Sequence, residues 1–424
     1  MAQPQRQQRQ QQQQQQPQRN RKYDLVVFGA TGYTGKLTSE QVLQGTPSTL
    51  RWAIAGRSPQ KLELLAHEYN RLYPDRVPVE IYIADLSEFS VERLASCTRL
   101  LISTVGPFIK YGTPVLEACA VYGTHYVDCT GEYPWVYEMI KRCHKTAKRK
   151  GAIIIPQAGF ESAPIDWGTY ALVKAVRDEL GVGVTDVTFS VHNLKGQFSG
   201  GTVETAMTVF EHATLQELHE ASQFDALSPI KGPEQPFRYP IRKDEDLGLL
   251  TSWINNSGDR SVVFRSWGLL DGGKYYGEQF TWKEYMRVTS YITAFIWMLL
   301  MNVAVIIPLI SPLRWLVRKL FHPGQGEGPS EEARRTHSVE WRGVAIADED
   351  TDTPRKAFVR VHSTIDAYTL TAVCLVQAAN SILFNKNTMA AEMGGGILTP
   401  ACLASPELFR LLDRAGLKIE TKII

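Results

Sequence analysis

No stretch constrains the fold of this chain more than Tyr23 to Gly35, Tyr-Asp-Leu-Val-Val-Phe-Gly-Ala-Thr-Gly-Tyr-Thr-Gly. Leu25 to Phe28 is a short apolar run bounded by turn residues, the pattern of a buried strand. Gly29, Gly32 and Gly35 come next at intervals of three, and Lys36 to Leu43 can continue as a helix. Strand, tight glycine turn and helix N-terminus make an anion site, because free backbone N–H groups and the helix dipole converge there. Gly29 permits the turn, Gly32 a close approach to a pyrophosphate, and Gly35 tight packing of helix on strand. Thr31, Tyr33 and Thr34 lie between them in the same loop. The spacing is GxxGxxG, a variant of the dinucleotide fingerprint, and alone it reads equally well as a plain turn.

The next strand decides between the two. Arg51-Trp-Ala-Ile-Ala-Gly-Arg57 reads as a second strand ending in a Gly-Arg turn, and Arg57 stands 22 positions after Gly35. That is where the end of a second strand meets the adenosine ribose. An acid there selects NAD; a guanidinium pairs instead with the 2′-phosphate of NADP. Ser58 and Lys61 can add contacts to that phosphate, and the alternative is a solvated surface arginine. Asp85, ending the strand from Val79, either borders the adenine or caps the next turn. Strand Leu100 to Val105 leads into Thr104, Val105 and Gly106, which should lie along the nicotinamide ribose, since ligands bind outside the carboxyl ends of such strands. With helices Pro59–Tyr69, Val91–Ser96, Gly112–Tyr122 and Pro134–Lys150, and strands His125–Asp128 and Ala152–Pro156, strand and helix alternate six times. The expected fold class is α/β, an N-terminal Rossmann doubly wound parallel sheet over residues 23–157.

Residues 1–22 are nearly all Gln, Arg and Pro and read as a disordered tail. A net charge of +2 gives no field that would draw nucleic acid. The six cysteines (Cys97, Cys119, Cys129, Cys143, Cys374, Cys402) form no CxxC pair, which excludes a disulfide framework and most zinc sites, and no metal is expected.

Several motifs carry a family resemblance: Gly-Ala-Thr-Gly-Tyr-Thr-Gly at 29–35, Ala-Gly-Arg-Ser at 55–58, Thr-Val-Gly-Pro-Phe at 104–108 with Tyr111-Gly112, and Gly-Thr-His-Tyr-Val-Asp at 123–128 with Gly131-Glu132. Gly-Phe-Glu-Ser-Ala-Pro-Ile-Asp at 159–166, Gly-Gly-Thr at 200–202 and Gly-Gly-Ile-Leu-Thr-Pro-Ala at 395–401 extend it. Together they resemble the saccharopine dehydrogenase-like oxidoreductases over nearly the whole chain beyond the tail. The resemblance implies NADP(H) as cofactor. Bacterial members include trans-acting enoyl reductases, which serve a partner polyketide synthase; animal members associate with lipid droplets and membranes. Glu161 stands where the family usually has Asp. Aligned with the family, the ligand edge offers Tyr111, His125, Asp128, Glu132 and Glu161. Tyr111 and Glu161 are the candidate catalytic residues, Tyr111 as an acid toward an enolate or else merely packing its ring; His125 reads as structural.

Residues 158–424 read as an α+β substrate domain. Glu161, Ser162 and Asp166 either bind ligand or cap the helix near Pro164. Val184–Asn193, Ser261–Phe264, Glu340–Ala347 and Ala357–His362 are strand-like pieces of a mostly antiparallel sheet. Gly196–Thr202 is a glycine-rich loop before a helix Glu204–Thr214. Asp366–Asn385 and Pro406–Ala415 read as helices, and Gly394–Gly396 as a turn cluster that either closes over the cofactor or merely connects.

Val288 to Leu313 holds 26 residues without a charge, between Arg287 and the group Arg314, Arg318 and Lys319. It is long enough to span a bilayer, yet a single crossing would strand residues 340–424 on the far side. A membrane hairpin or in-plane helix, broken at Asn302 or Pro308, resolves this, and a buried core helix is the alternative. The expectation is a membrane-associating segment at a lipid droplet or the endoplasmic reticulum, with the catalytic domains cytosolic, a lipophilic acyl or enoyl substrate, and room for a homodimer. Two other readings are a true saccharopine reductase, whose three-carboxylate substrate should demand an arginine-lined pocket that Arg265 and Arg342 alone do not make, and a non-catalytic NADP-binding scaffold.

Overall fold

The computed structural model describes residues 21–195, 208–307, 310–320 and 337–424; the expected loop 196–202, the start of helix 204–214 and Pro308 lie outside them. The first layer is a seven-stranded parallel sheet. Its strands are β1 (Tyr23–Phe28), β2 (Trp52–Gly56), β3 (Glu80–Ile83), β4 (Thr98–Ser103), β5 (His125–Asp128), β6 (Ile153–Ile155) and β13 (Gly396–Ile397), in the order β13-β6-β5-β4-β1-β2-β3. The central strand β1 is buried at every position, as a parallel strand covered on both faces must be. Helices α1 (Tyr33–Gly45), α2 (Pro59–Leu72), α3 (Glu88–Ser96), α4 (Phe108–Tyr111), α5 (Thr113–Tyr122) and α6 (Tyr133–Lys150) provide that cover. The order reverses between β1 and β4, so the switch point falls at the glycine turn.

The second layer is a mixed seven-stranded sheet. It comprises β7 (Val184–Lys195), β8 (Arg242–Asp244), β9 (Gly248–Ser252), β10 (Thr281–Val288), β11 (Ser338–Ala347), β12 (Lys356–Ser363) and β14 (Leu417–Ile423), in the order β14-β12-β11-β7-β10-β9-β8. Among the described residues only β7 and β10 pair in parallel here; the other pairings are antiparallel. One face is closed by α7 (Ser162–Leu180) and α8 (Asn256–Leu269), with Phe189, Trp282, Val359 and Val361 in the core between. Two further helices, α9 (Tyr291–Ile306) and α10 (Ser311–Leu320), come after β10. Next, α11 (Ala367–Phe384) crosses back to pack on α1, where Asn380 Nδ2 donates to Gly45 O (2.8 Å). α12 (Pro406–Arg414) then precedes β14.

Five expectations change. Arg21 is not part of a loose tail: it is 5% exposed and its guanidinium donates to the carbonyls of Thr98 and Tyr122 and to Thr124 Oγ1, plugging the lower end of the sheet. Ser261–Phe264 is helix, not strand. Those residues are buried on every side between α7 and β10, so no polar face marked the helical period. Gly394–Gly396 is more than a turn cluster: Gly396 and Ile397 pair with Ile153 and Ile154 as a seventh strand. Ser162 and Asp166 do not cap α7, because both side chains turn inward to α8 and the segment after β13: Ser162 Oγ donates to Asp259 Oδ1 (2.9 Å), and Asp166 accepts from Ser266 Oγ (2.6 Å) and Ala401 N (2.7 Å). Asn302 breaks nothing, since its Nδ2 donates to Met298 O (2.7 Å) inside α9, and the helix ends at Ile306.

Candidate nucleotide and reduction site

Gly29 takes φ +92°, a left-handed turn that an L side chain resists. A Cβ there would lie 2.7 Å from Thr104 Oγ1 and 3.0 Å from Val105 Cγ2, so the loop sits directly on the end of β4. At Gly35 a Cβ would lie 2.1 Å from Gly29 O; only glycine lets α1 approach β1 this closely. Gly32 differs. It begins α1 with ordinary backbone angles (φ −78°), no side-chain cap and no acid in the first turn, and a Cβ on it would touch only Gly29 O, at 3.3 Å. This leaves an open cradle in front of a helix N-terminus, the form and polarity a pyrophosphate needs. Thr31, Gly32, Tyr33 and Thr34 are all partly exposed around it. Tyr33 packs edge-on against Tyr368 of α11 (5.2 Å between centroids), so the C-terminal half braces the loop.

Arg57 is exposed just beyond β2, and among the described residues no carboxylate pairs with it. Ser58 precedes α2 without capping it and Lys61 is exposed in its first turn. Three polar or cationic groups thus gather just beyond the end of β2, where the sequence pattern expects the adenosine ribose. Asp85 takes the plainer of its two expected roles: its carboxylate accepts from Ser87 N (3.0 Å) and Ser87 Oγ (2.6 Å) and caps that turn. Thr104 is fixed by its Oγ1 donating to Phe28 O (3.1 Å), and Gly106 is exposed beside it.

The acids of the ligand edge divide by what they hold. Glu132 accepts from Phe108 N (2.7 Å) and Ile109 N (2.6 Å) and so fixes the start of α4. Asp128 accepts from Thr130 N (2.9 Å) and Gln157 N (3.1 Å), joining the ends of β5 and β6. Burial pushes both carboxyls up to about 7, against these bonds. His125 accepts from Ile153 N (3.0 Å), and burial drives its pKa down to about 3: it is a neutral, structural ring. Tyr111 ends α4 half-buried, with the Lys110 ammonium 5.1 Å over its ring. Glu161, between β6 and α7, is half-buried and accepts from Asn255 Nδ2 (3.1 Å). A Cβ on the exposed Gly131 would lie 3.6 Å from Glu161 Oε2, which places that carboxyl at the mouth of the loop after β5.

Asn255, Asp259 and Glu284 gather around Glu161, and the sequence reading missed all three. The misread helix hid Asp259. Glu284 did carry a signal: the alternation of β10 puts it on the same side as Trp282 and Met286, an acid in an apolar row.

These features define a class, a two-layer NADP-binding oxidoreductase. Residues 25–155 match the model of the saccharopine dehydrogenase NADP-binding domain. A Mycobacterium tuberculosis protein assigned provisionally as a trans-acting enoyl reductase is 31% identical over 95% of this chain and 98% of its own length. Proteins named trans-acting enoyl reductase from Mycobacterium bovis and Mycobacterium ulcerans are 29% and 27% identical, over 95% and 94% of the chain and 98% and 97% of their lengths. The structure of saccharopine dehydrogenase (L-Glu forming) from Saccharomyces cerevisiae superposes with a TM-score of 0.54 at 10% identity, over 95% of this chain and all of that one, which shows a shared fold. The chain belongs to the saccharopine dehydrogenase-like oxidoreductase family and binds NADP(H).

Proposed function

We propose that this protein is an NADPH-dependent reductase of a lipophilic, enoyl-type acyl substrate, working with α9 laid on the lipid surface of a droplet or of the endoplasmic reticulum and with both domains in the cytosol. One observation carries the lipid part. Tyr291, Ile292, Phe295, Ile296, Leu299, Leu300, Val303 and Ile306 are all exposed, between 48% and 75%, along one uncharged helix. An apolar face of this extent marks an interaction surface. At 16 residues α9 is about 24 Å long, short of the hydrocarbon thickness, so it lies in the surface layer and does not cross. The exposed Arg287 precedes it, and on α10 the Lys319 ammonium lies 4.9 Å over the exposed Trp315 ring, an interfacial pairing of cation and aromatic.

The helix is also close to the site. Thr251 Oγ1 donates to Ala294 O (3.0 Å), and four residues on, Asn255 bonds Glu161. Four residues reach at most about 14 Å, so a substrate leaving the lipid has a short path to the ligand edge. The names of the relatives support an enoyl group.

A saccharopine-type substrate carries three carboxylates, and the two arginines it would need are engaged elsewhere. Arg265 is buried and donates to the carbonyls of Leu227 and Ile397; Arg342 pairs with Glu340 (2.7 Å).

Co-sedimentation of the full chain with anionic vesicles tests the lipid part. Exchanging Ile292, Phe295 and Leu299 for serine should release it, since each buried apolar side chain contributes about 1.5–3 kcal/mol. Retained vesicle binding by this variant contradicts the docking of α9. NADPH consumption with a long-chain enoyl thioester separates an enzyme from a scaffold.

A further inference from the structure

The face of the second sheet that meets α7 and α8 is interrupted by one acid. Glu284 pairs in register with Phe189 on β7, as Trp282 pairs with Val187, so it points into the apolar layer. It is 1% exposed, and among the described residues neither carboxyl oxygen meets an N–H or O–H donor. The group it faces is the carboxyl of Asp259, 2% exposed on α8. Asp259 accepts from Ser162 Oγ (2.9 Å) and Asn255 Nδ2 (3.3 Å), and the same amide donates to Glu161 Oε2 (3.1 Å). Two facing carboxyls can bond only when one of them carries a proton.

Among the described residues the surroundings supply no counter-charge. Arg260, next on α8, turns its guanidinium to the Phe224 ring (6.0 Å), and Lys283, next on β10, reaches Arg238 O (3.4 Å). From the β5 loop, Asp128 and Glu132 are engaged with backbone N–H groups, and Asp166 on α7 with Ser266 and Ala401. Among the described residues no set of His, Cys, Asp and Glu side chains is arranged to hold a metal ion.

We infer that Glu284 is a standing carboxylic acid that donates its O–H to Asp259, and that Asp259 and Glu161, bridged by the Asn255 amide, keep one proton between them, which Glu161 delivers to the reduced substrate. Asp259 and Glu284 are thus positioning residues, and only Glu161 touches substrate. Burial, reinforced by the Asp259 charge, holds Glu284 well above the usual carboxylate range. Asp259 is pushed up to about 7, first by burial and then by repulsion from Glu161, with the bonds from Glu284, Ser162 and Asn255 opposing. Burial raises Glu161 as well. The repulsion between Glu161 and Asp259 is mutual, so the pair resists carrying two charges.

The catalytic role of Glu161 rests on the reductase reading. When bound, NADPH would supply the hydride that reduces the β-carbon of the enoyl group, leaving as NADP+. The resulting enolate takes the proton at its α-carbon: the Glu161 O–H bond breaks, the C–H bond forms, and Glu161 is left as carboxylate. Water at its exposed side beside Gly131 returns the proton.

Infrared titration of the full chain without added nucleotide tests the carboxyl arrangement apart from any turnover. The wild type should show a carboxylic acid carbonyl band persisting well into the alkaline range and absent from Glu284→Gln. The introduced amide keeps an N–H for Asp259, so that variant should keep its melting temperature, whereas Glu284→Leu lowers it. A second band, assigned by its absence from Asp259→Asn, should disappear at lower pH in Glu161→Gln, because the neighbouring charge is gone. A persistent band in Glu284→Gln, or an unmoved Asp259 band in Glu161→Gln, overturns the inference. Should the bands behave as stated while no enoyl substrate is reduced, the substrate reading fails and the carboxyl arrangement stands.

Discussion

Exchange of Gly32 for valine should abolish NADPH binding, by at least about a hundredfold, while leaving the fold intact. The structure separates the three glycines of the loop by what a side chain would meet. At Gly35 a Cβ would lie 2.1 Å from a backbone oxygen, and at Gly29 the left-handed backbone and the Thr104 contact both oppose one. Substitution at either position disturbs the loop before any ligand arrives. Gly32 has ordinary extended angles that a β-branched residue adopts, and a Cβ there would meet only Gly29 O, at 3.3 Å, a contact that a shift of a few tenths of an ångström relieves. Valine there fills the cradle and otherwise presses only on Gly29 O. As an N-cap, valine is poorer than glycine by roughly 1 kcal/mol, so the melting temperature without nucleotide should fall only by a few degrees. Calorimetric titration with NADPH beside a thermal melt reads both quantities. Undiminished binding by Gly32→Val would place the pyrophosphate elsewhere.

The second large effect belongs to Arg57. A charge-assisted bond between a guanidinium and a phosphate contributes about 1.5–3 kcal/mol. Removing it in Arg57→Ala should therefore weaken NADPH binding by about ten- to a hundredfold. NADH lacks the 2′-phosphate, so its affinity should stay within about twofold, and the preference between the two nucleotides should collapse. Arg57 is well exposed and, among the described residues, pairs with no carboxylate, so the exchange should leave stability unaltered. Added salt should weaken NADPH binding in the wild type more than in the variant, because the contact is exposed to screening. Equal losses for NADPH and NADH would mean that Arg57 supports the loop and does not read the phosphate.

The nucleotide half of the molecule was legible because its determinants are local. Gly29 to Gly35, Arg57 and the run Thr104–Gly106 each come after a strand whose position the hydrophobic pattern gives away, and the strand order places them together. The second half was not legible in the same way. Ser261–Phe264 looked like a strand because a helix buried on every side shows no amphipathic period, and with it went Asp259. Ser162 and Asp166 looked like caps because a cap is the nearest use for such residues at a helix start. Their partners, Asp259, Ser266 and Ala401, lie about a hundred residues or more along the chain. Gly396 and Ile397 form a strand of two residues, too short for any alternation to show. The apolar segment was visible from composition alone, but its end at Ile306 and its docking through Ala294 onto β9 are tertiary facts.

Whether bound NADPH is used decides between an enzyme and a scaffold. The direct measurement follows NADPH oxidation by the purified full chain with a long-chain α,β-unsaturated thioester presented in anionic vesicles, with the acyl product identified by mass. The prediction is stoichiometric saturation of the double bond, lost in Gly32→Val and strongly reduced when Ile292, Phe295 and Leu299 are exchanged for serine. NADPH that binds tightly but is not consumed with any such substrate would contradict it, and would leave a nucleotide-binding scaffold in place of an enzyme.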